Sequence, residues 1–144
     1  MTTTENAVAE ALALAHRALL SDLRELEQAA SRPSQEGLED LRARLGAAHT
    51  HITEHFRFEE ENGYMDAVRK REPRLERTIE QLAAEHRELA RTLSSLIGEA
   101  SAVTGRSRAL RQGVQEWIKR VQQHEIRENG LVQEAFNVDI GTKD

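Results

Sequence analysis

The chain contains no cysteine. Disulfides, thiolate zinc sites, cysteine-held iron–sulfur clusters and thiol catalysis are therefore excluded. Proline occurs twice, and the aromatics are three Phe, one Tyr and one Trp in 144 residues. What remains is rich in Ala, Leu, Glu and Arg and poor in β-branched residues, a mixture that favours helix almost throughout. No uncharged apolar run approaches membrane-spanning length. The N-terminal stretch MTTTENAVAEALALAH has no basic start and carries Glu5 and Glu10, so it does not read as a signal peptide. These absences predict a soluble, cytoplasmic protein without a membrane partner. The formal net charge of −5 argues against broad nucleic-acid binding. A short basic cluster, Arg69, Lys70, Arg71, Arg74 and Arg77, is read as a solvated turn and helix start.

The length suits one domain over residues 1–144. Four long stretches carry apolar residues at alternating steps of three and four. The first, about 6–30, has Leu12, His16, Leu19, Leu23 and Leu26 in its stripe. SRPSQEG, with Pro33 and Gly37, interrupts it. The second, about 35–62, carries Leu38, Leu41, Leu45, Ala48, Ile52, His55 and Glu59. Asn62-Gly63 is expected to end it, since both residues tolerate a left-handed backbone. A short irregular or helical piece runs to Glu72, and Pro73 reads as a first-turn proline of the third helix, about 73–101. That helix carries Leu75, Ile79, Leu82, His86, Leu89, Leu93 and Leu96. TGRSR leads to the fourth, about 108–136, with Leu110, Val114, Trp117, Val121, His124, Glu128 and Leu131. The tail, 137–144, has no pattern. Four helices of about 37 Å on short links predict an all-α, antiparallel up-down-up-down four-helix bundle.

Six polar residues fall in these apolar seams: His16, His55, Glu59, His86, His124 and Glu128. Taken singly, each histidine has an ordinary explanation as a hydrogen-bonded core residue. The set is harder to explain that way. Every long helix contributes one seam histidine, and two helices add a glutamate four residues later, on the same face. A buried carboxylate without a partner costs several kcal/mol, and no Lys or Arg occupies a seam position nearby. A metal ion supplies the missing positive charge, and neutral imidazole is a common ligand for it. The order also repeats. His16 is followed 39 residues later by His55/Glu59, and His86 is followed 38 residues later by His124/Glu128. Two hairpins packed with approximate two-fold symmetry would bring both halves to one place. Four imidazoles and two bridging carboxylates suit two metal ions. The competing account is a hydrogen-bonded polar layer without metal.

Other motifs fail. Ferritin-like di-iron bundles use Glu-x-x-His pairs, and no histidine here has a glutamate three residues before it. His124-Glu125 resembles the start of a zinc-protease HExxH, but the second histidine is missing. There is no Gly-rich phosphate loop. Ile52 holds the seam beside His51, which points His51 to the flank as a supporting or surface residue. His49 is expected to be exposed, and Trp117 to pack in the core.

The order H…HxxxE…H…HxxxE, with the phrases HFRFEEENG and HEIRENGLVQEAF, resembles the hemerythrin-like, or HHE cation-binding, family over roughly residues 8–140. By that resemblance the metal ligands are His16, His55, Glu59, His86, His124 and Glu128, and the cofactor is two Fe ions in an oxo- or hydroxo-bridged centre. The oxygen-carrying hemerythrins have a second third-helix histidine and a fourth-helix aspartate. Here Leu82 and Ala90 lie one turn from His86, and the fourth helix has Glu128 and then Asn129. The pattern is nearer the branch of iron–sulfur repair and peroxide-active hemerythrin-like proteins, although the cysteine typical of the repair proteins is missing.

The resemblance implies a small diatomic or peroxide ligand (O2, H2O2 or NO), a role in oxidative or nitrosative stress, an unidentified redox partner, and a monomer or weak dimer. Both metals are expected to keep an open position, which favours redox turnover over oxygen carriage, catalase-like peroxide removal foremost. No acid–base pair outside the ligand set stands in the seams, and Glu60, Glu125 and His51 are the candidates for moving protons. The alternative is an iron or oxygen sensor, or an iron store, without turnover. A zinc-filled structural bundle is a third reading.

Overall fold

The computed structural model describes residues 3–32, 35–61, 63–104 and 107–137. Pro33, Asn62 and the tail beyond Asn137 lie outside the described residues. Among the described residues there is helix and no strand. The long helices are α1 (Thr3–Ser31), α2 (Gln35–Glu61), α4 (Glu76–Ala102) and α5 (Arg108–Phe136). A short helix, α3 (Tyr64–Arg71), and a 3-10 turn, Pro73–Leu75, connect α2 to α4.

The periodic stripes explain the packing. Every seam residue named above is buried except His55, whose side chain keeps about a tenth of its surface. Each long helix packs against two others: α1 and α4 both lie on α2 and α5. Contacts between α1 and α2 run in opposite order along the two segments, Glu25 to Arg44, Asp22 to His51, His16 to Glu59, as in antiparallel helices. Trp117 Nε1 donates to the Leu89 carbonyl at 2.8 Å, fixing α5 against α4.

The core has two apolar parts. The larger holds Leu23, Leu45, Leu93, Val114 and Trp117. The smaller holds Leu12, Met65, Val68, Ile79, Leu82 and Val132. On α1, α4 and α5 the polar seam residues lie between the two parts in sequence, and on α2 they follow the larger part just before α3, so the six form a layer across the bundle. α3 touches all four long helices and covers the smaller core.

Local signals behave differently from expectation at two junctions. Gly63 is not left-handed; its φ is −104°. It is required instead by close approach, since a Cβ there would stand 2.8 Å from Glu59 Cα and 2.9 Å from the Phe58 carbonyl oxygen. Pro73 opens a 3-10 turn rather than the α-helix itself, which starts at Glu76. Glu72, before the proline, is held extended at φ −136° and ψ 82°, because the ring disfavours the helical region for its predecessor. At the far end Asn137 caps α5 at φ 55°, the left-handed conformation that asparagine tolerates.

Four of the five residues of the basic cluster are paired at the surface. Arg69 faces Glu76, Lys70 faces Asp66, Arg71 faces Glu5, and Arg74 faces Glu72 and Glu134. Among the described residues no helix is long and apolar enough to cross a membrane.

Gly63→Ala should destabilise the protein by about 1–3 kcal/mol, because the obstacle is backbone and cannot swing aside. Thermal melting of the metal-free protein checks this, and an unchanged midpoint would contradict the packing described.

Candidate metal centre

The i,i+4 spacing puts His55 above Glu59 on α2 and His124 above Glu128 on α5, and each pair is one turn of helix deep in the layer. His16 reaches in from α1 and His86 from α4. Glu59 and Glu128 are 1% and 0% exposed. Glu59 Oε2 lies 3.2 Å from the Nε2 atoms of His16 and His55, and its Oε1 lies 3.2 Å from His86 Nε2. Glu128 Oε1 lies 3.2 Å from His16 Nε2, and its Oε2 lies 3.0 Å from His86 Nε2 and 3.1 Å from His124 Nε2. All six expected residues are thus brought to one place. Two overlapping groups result, His16/His55/Glu59/Glu128 and His86/His124/Glu59/Glu128, each with donor atoms within 4.8 Å of one another. Both glutamates belong to both groups.

Several of these atoms are close without being bonded. His55 Nε2, His124 Nε2 and Glu59 Oε1 are buried and make no hydrogen bond despite their neighbours at about 3 Å. They converge on shared space rather than on each other. Orphaned donors of this kind, borderline nitrogen with hard carboxylate oxygen, fit divalent first-row metals.

Outward-facing partners orient the rings. His86 Nδ1 is 2.7 Å from Glu60 Oε2, and His124 Nδ1 is 2.7 Å from Glu85 Oε1. Arg127 binds both Glu85 oxygens. With Nδ1 as the donor in each contact, a neutral ring turns its Nε2 lone pair toward the centre. Tyr64 donates its hydroxyl to Glu128 Oε2 at 2.7 Å. Phe56 stacks on His86 with ring centroids 3.9 Å apart and 7° between planes.

The electrostatics show how the metal-free chain tolerates two buried anions. Burial opposes charge on His16 and His86, but the Glu128 and Glu59 carboxylates within 3.2 Å outweigh it and push both up to about 10 from the ordinary 6.5. Burial likewise opposes charge on His124, and the Glu128 carboxylate 3.1 Å away raises it. Burial would raise Glu59 and Glu128; the histidines override it and hold both low. Burial pushes Glu125 up to about 7 and raises Tyr64, which stays a hydrogen-bond donor. In the metal-free chain the compensating positive charge therefore sits on these imidazoles.

Two cavities approach the centre from the α1–α2 side. One, of about 190 Å³, runs beside Ala7, Ala11 and Ala15 to Glu59, Gly63 and Tyr64. The other, of about 370 Å³, is more open and reaches His55 past Asp22, His51 and Glu54. Ala15 and Phe58 line both.

Residues outside the seams sort themselves. His51 pairs with Asp22 at the surface, 3.2 Å away. His49, expected to be exposed, is half-buried and 3.3 Å from Ser94 Oγ, because α4 packs over that flank. Trp117 is core. Of the candidate proton carriers, Glu60 holds His86, and Glu125 is buried 3.8 Å from His16 Nδ1. Tyr64, Glu85 and Phe56 are not singled out by seam spacing. The only signals for them are that Tyr64 is the sole tyrosine, and that Glu85 and Phe56 adjoin seam histidines.

A helical layer of four imidazoles around two shared carboxylates defines a cation-binding bundle. The model of the hemerythrin HHE cation-binding domain matches residues 7–136, and the chain belongs to that family. Domains of the family bind metal cations, typically iron. No curated protein and no solved structure matched the chain.

The sign of the pH dependence follows. His16 and His86 are raised, so their contribution to metal-free stability is complete below 6.5 and is lost as pH rises toward about 10. Glu59 and Glu128 are lowered, so theirs is present above 4.5 and is lost as pH falls. The metal-free melting midpoint should therefore be highest between about 4.5 and 6.5 and fall on the alkaline side, and added metal should restore the alkaline loss. A midpoint that is flat up to pH 10 without metal would contradict this.

Proposed function

We propose that the chain is a non-haem di-iron protein that binds or turns over O2, H2O2 or NO in the polar layer. His16, His55, Glu59, His86, His124 and Glu128 are the ligands in this reading. The observation that carries it is the convergence of buried, unbonded Nε2 and carboxylate atoms around two shared glutamates, with no Lys or Arg paired to either glutamate among the described residues. When bound, the irons would supply open coordination positions and redox electrons.

The chain's own residues do the rest. Glu59 and Glu128 each present their oxygens to both histidine groups, so they tie the two positions together. Glu60 and Glu85 hold the imidazoles of His86 and His124 with Nε2 inward. Tyr64 keeps a proton at Glu128 Oε2. The two apolar cores exclude bulk water above and below the layer. The narrower cavity is walled mostly by alanines, Val8, Leu12 and Phe58, a lining that favours small uncharged molecules over ions.

Catalase-like peroxide removal is the first version to test. Metal analysis of protein loaded with ferrous iron should give two irons per chain, and an oxygen electrode should register O2 from peroxide above free-iron controls. His124→Ala should lose both iron and activity. Iron loading with altered stability but no turnover would favour sensing or storage instead, and a protein that takes up only zinc would end the di-iron proposal.

Ala15→Phe, at the wall shared by the two cavities, should slow NO association several-fold in stopped-flow mixing while iron content stays unchanged. An unaltered rate would mean that ligands arrive elsewhere.

A further inference from the structure

The six residues are shared out evenly between two groups, but their surroundings are not. In the group containing His86 and His124, both outward nitrogens meet a carboxylate at 2.7 Å. One of those carboxylates, Glu85, is itself fixed by Arg127. Phe56 lies flat on His86 and presents its edge to His124. In the other group, His16 Nδ1 is buried without a hydrogen bond, and the nearest carboxylate oxygen, on Glu125, is 3.8 Å away. Among the described residues no carboxylate backs the outward nitrogen of His55.

Access is uneven in the same sense. The 370 Å³ cavity is lined by His55, and the 190 Å³ cavity reaches Glu59, which both halves share. Neither is lined by His86 or His124. The side chains of His86 and His124 are 2% and 1% exposed, against 8% and 10% for His16 and His55.

We propose that the two halves of the centre have different tasks: the His86/His124 half retains its metal, and the His16/His55 half exchanges metal with solution. The assignment rests on the di-metal reading above. A carboxylate behind an imidazole fixes the ring and strengthens the inward nitrogen as a ligand, and losing such a partner typically costs about 10–100-fold in metal affinity. Two such partners stand on one half and none on the other. Glu59 and Glu128 do not discriminate, because both halves share them. Tyr64 acts in the opposite sense by drawing electron density from Glu128 Oε2, but it is one neutral donor against two ionised acceptors. Glu60, Glu85 and Arg127 are positioning residues in this scheme.

The test is metal release. Protein loaded anaerobically with two ferrous ions is mixed with excess bipyridine, and the coloured complex is followed in time. Two phases of equal amplitude are expected, separated by at least about tenfold. Glu60→Gln with Glu85→Gln should accelerate the slow phase toward the fast one and leave the fast one alone. Both residues are partly exposed, so the fold should survive. Should that pair fail to hold iron, Arg127→Gln, which frees Glu85 without touching an imidazole, should accelerate the slow phase by itself. His55→Ala should keep one slowly released iron. A single phase from protein holding two irons would overturn the assignment and leave the di-metal reading standing, as would equal acceleration of both phases. Failure to hold iron at all in the unmodified protein would overturn both.

Discussion

Two carboxylates with almost no exposed surface, Glu59 and Glu128, sit in the middle of an apolar bundle and set the terms for everything around them. An unpaired charge in such a place is untenable. In the chain alone, compensation comes from protonated imidazoles, which is why His16 and His86 are pushed up to about 10 while both glutamates are held low. A divalent cation satisfies the same requirement with the imidazoles neutral. In the proposed reading the layer holds either protons or metal, and the helices keep its members at the same depth.

That requirement also organises the core. A continuous apolar interior would be easier to pack, but the layer splits it into a larger part around Trp117 and Leu93 and a smaller one beneath α3. Each part then acts as a water barrier on one side of the polar atoms. The second circle of residues, Glu60, Glu85 with Arg127, Tyr64 and Phe56, converts approximate placement into defined orientation.

The bundle and the convergence of the six polar residues were legible in the sequence for one reason: burial on a long helix recurs at steps of three and four, and a polar residue at such a step must face the interior. His16, Glu59 and His124 all declare themselves in this way. The second circle was not legible because it obeys no period. Glu85 and Glu60 lie beside seam positions, where solvent exposure is the ordinary outcome, and their reach toward His124 and His86 depends on the neighbouring helix. Tyr64 depends on the chain folding back after α2. Gly63 carries a signal, but its meaning is steric contact with Glu59 and Phe58 rather than backbone handedness. Pro73 marks the right boundary and the wrong helix type, since its ring constrains Glu72 as much as the turn that follows.

The approximate repeat of the two hairpins is broken in one respect: α3 is inserted between them and has no counterpart elsewhere among the described residues. This eight-residue stopper closes the open end of the barrel of helices and carries in its first residue the hydroxyl that touches Glu128. The cover of the smaller core and a proton at the centre therefore hang on the same short segment. A change in its length or docking would loosen the cover of the smaller core and the Tyr64–Glu128 bond together.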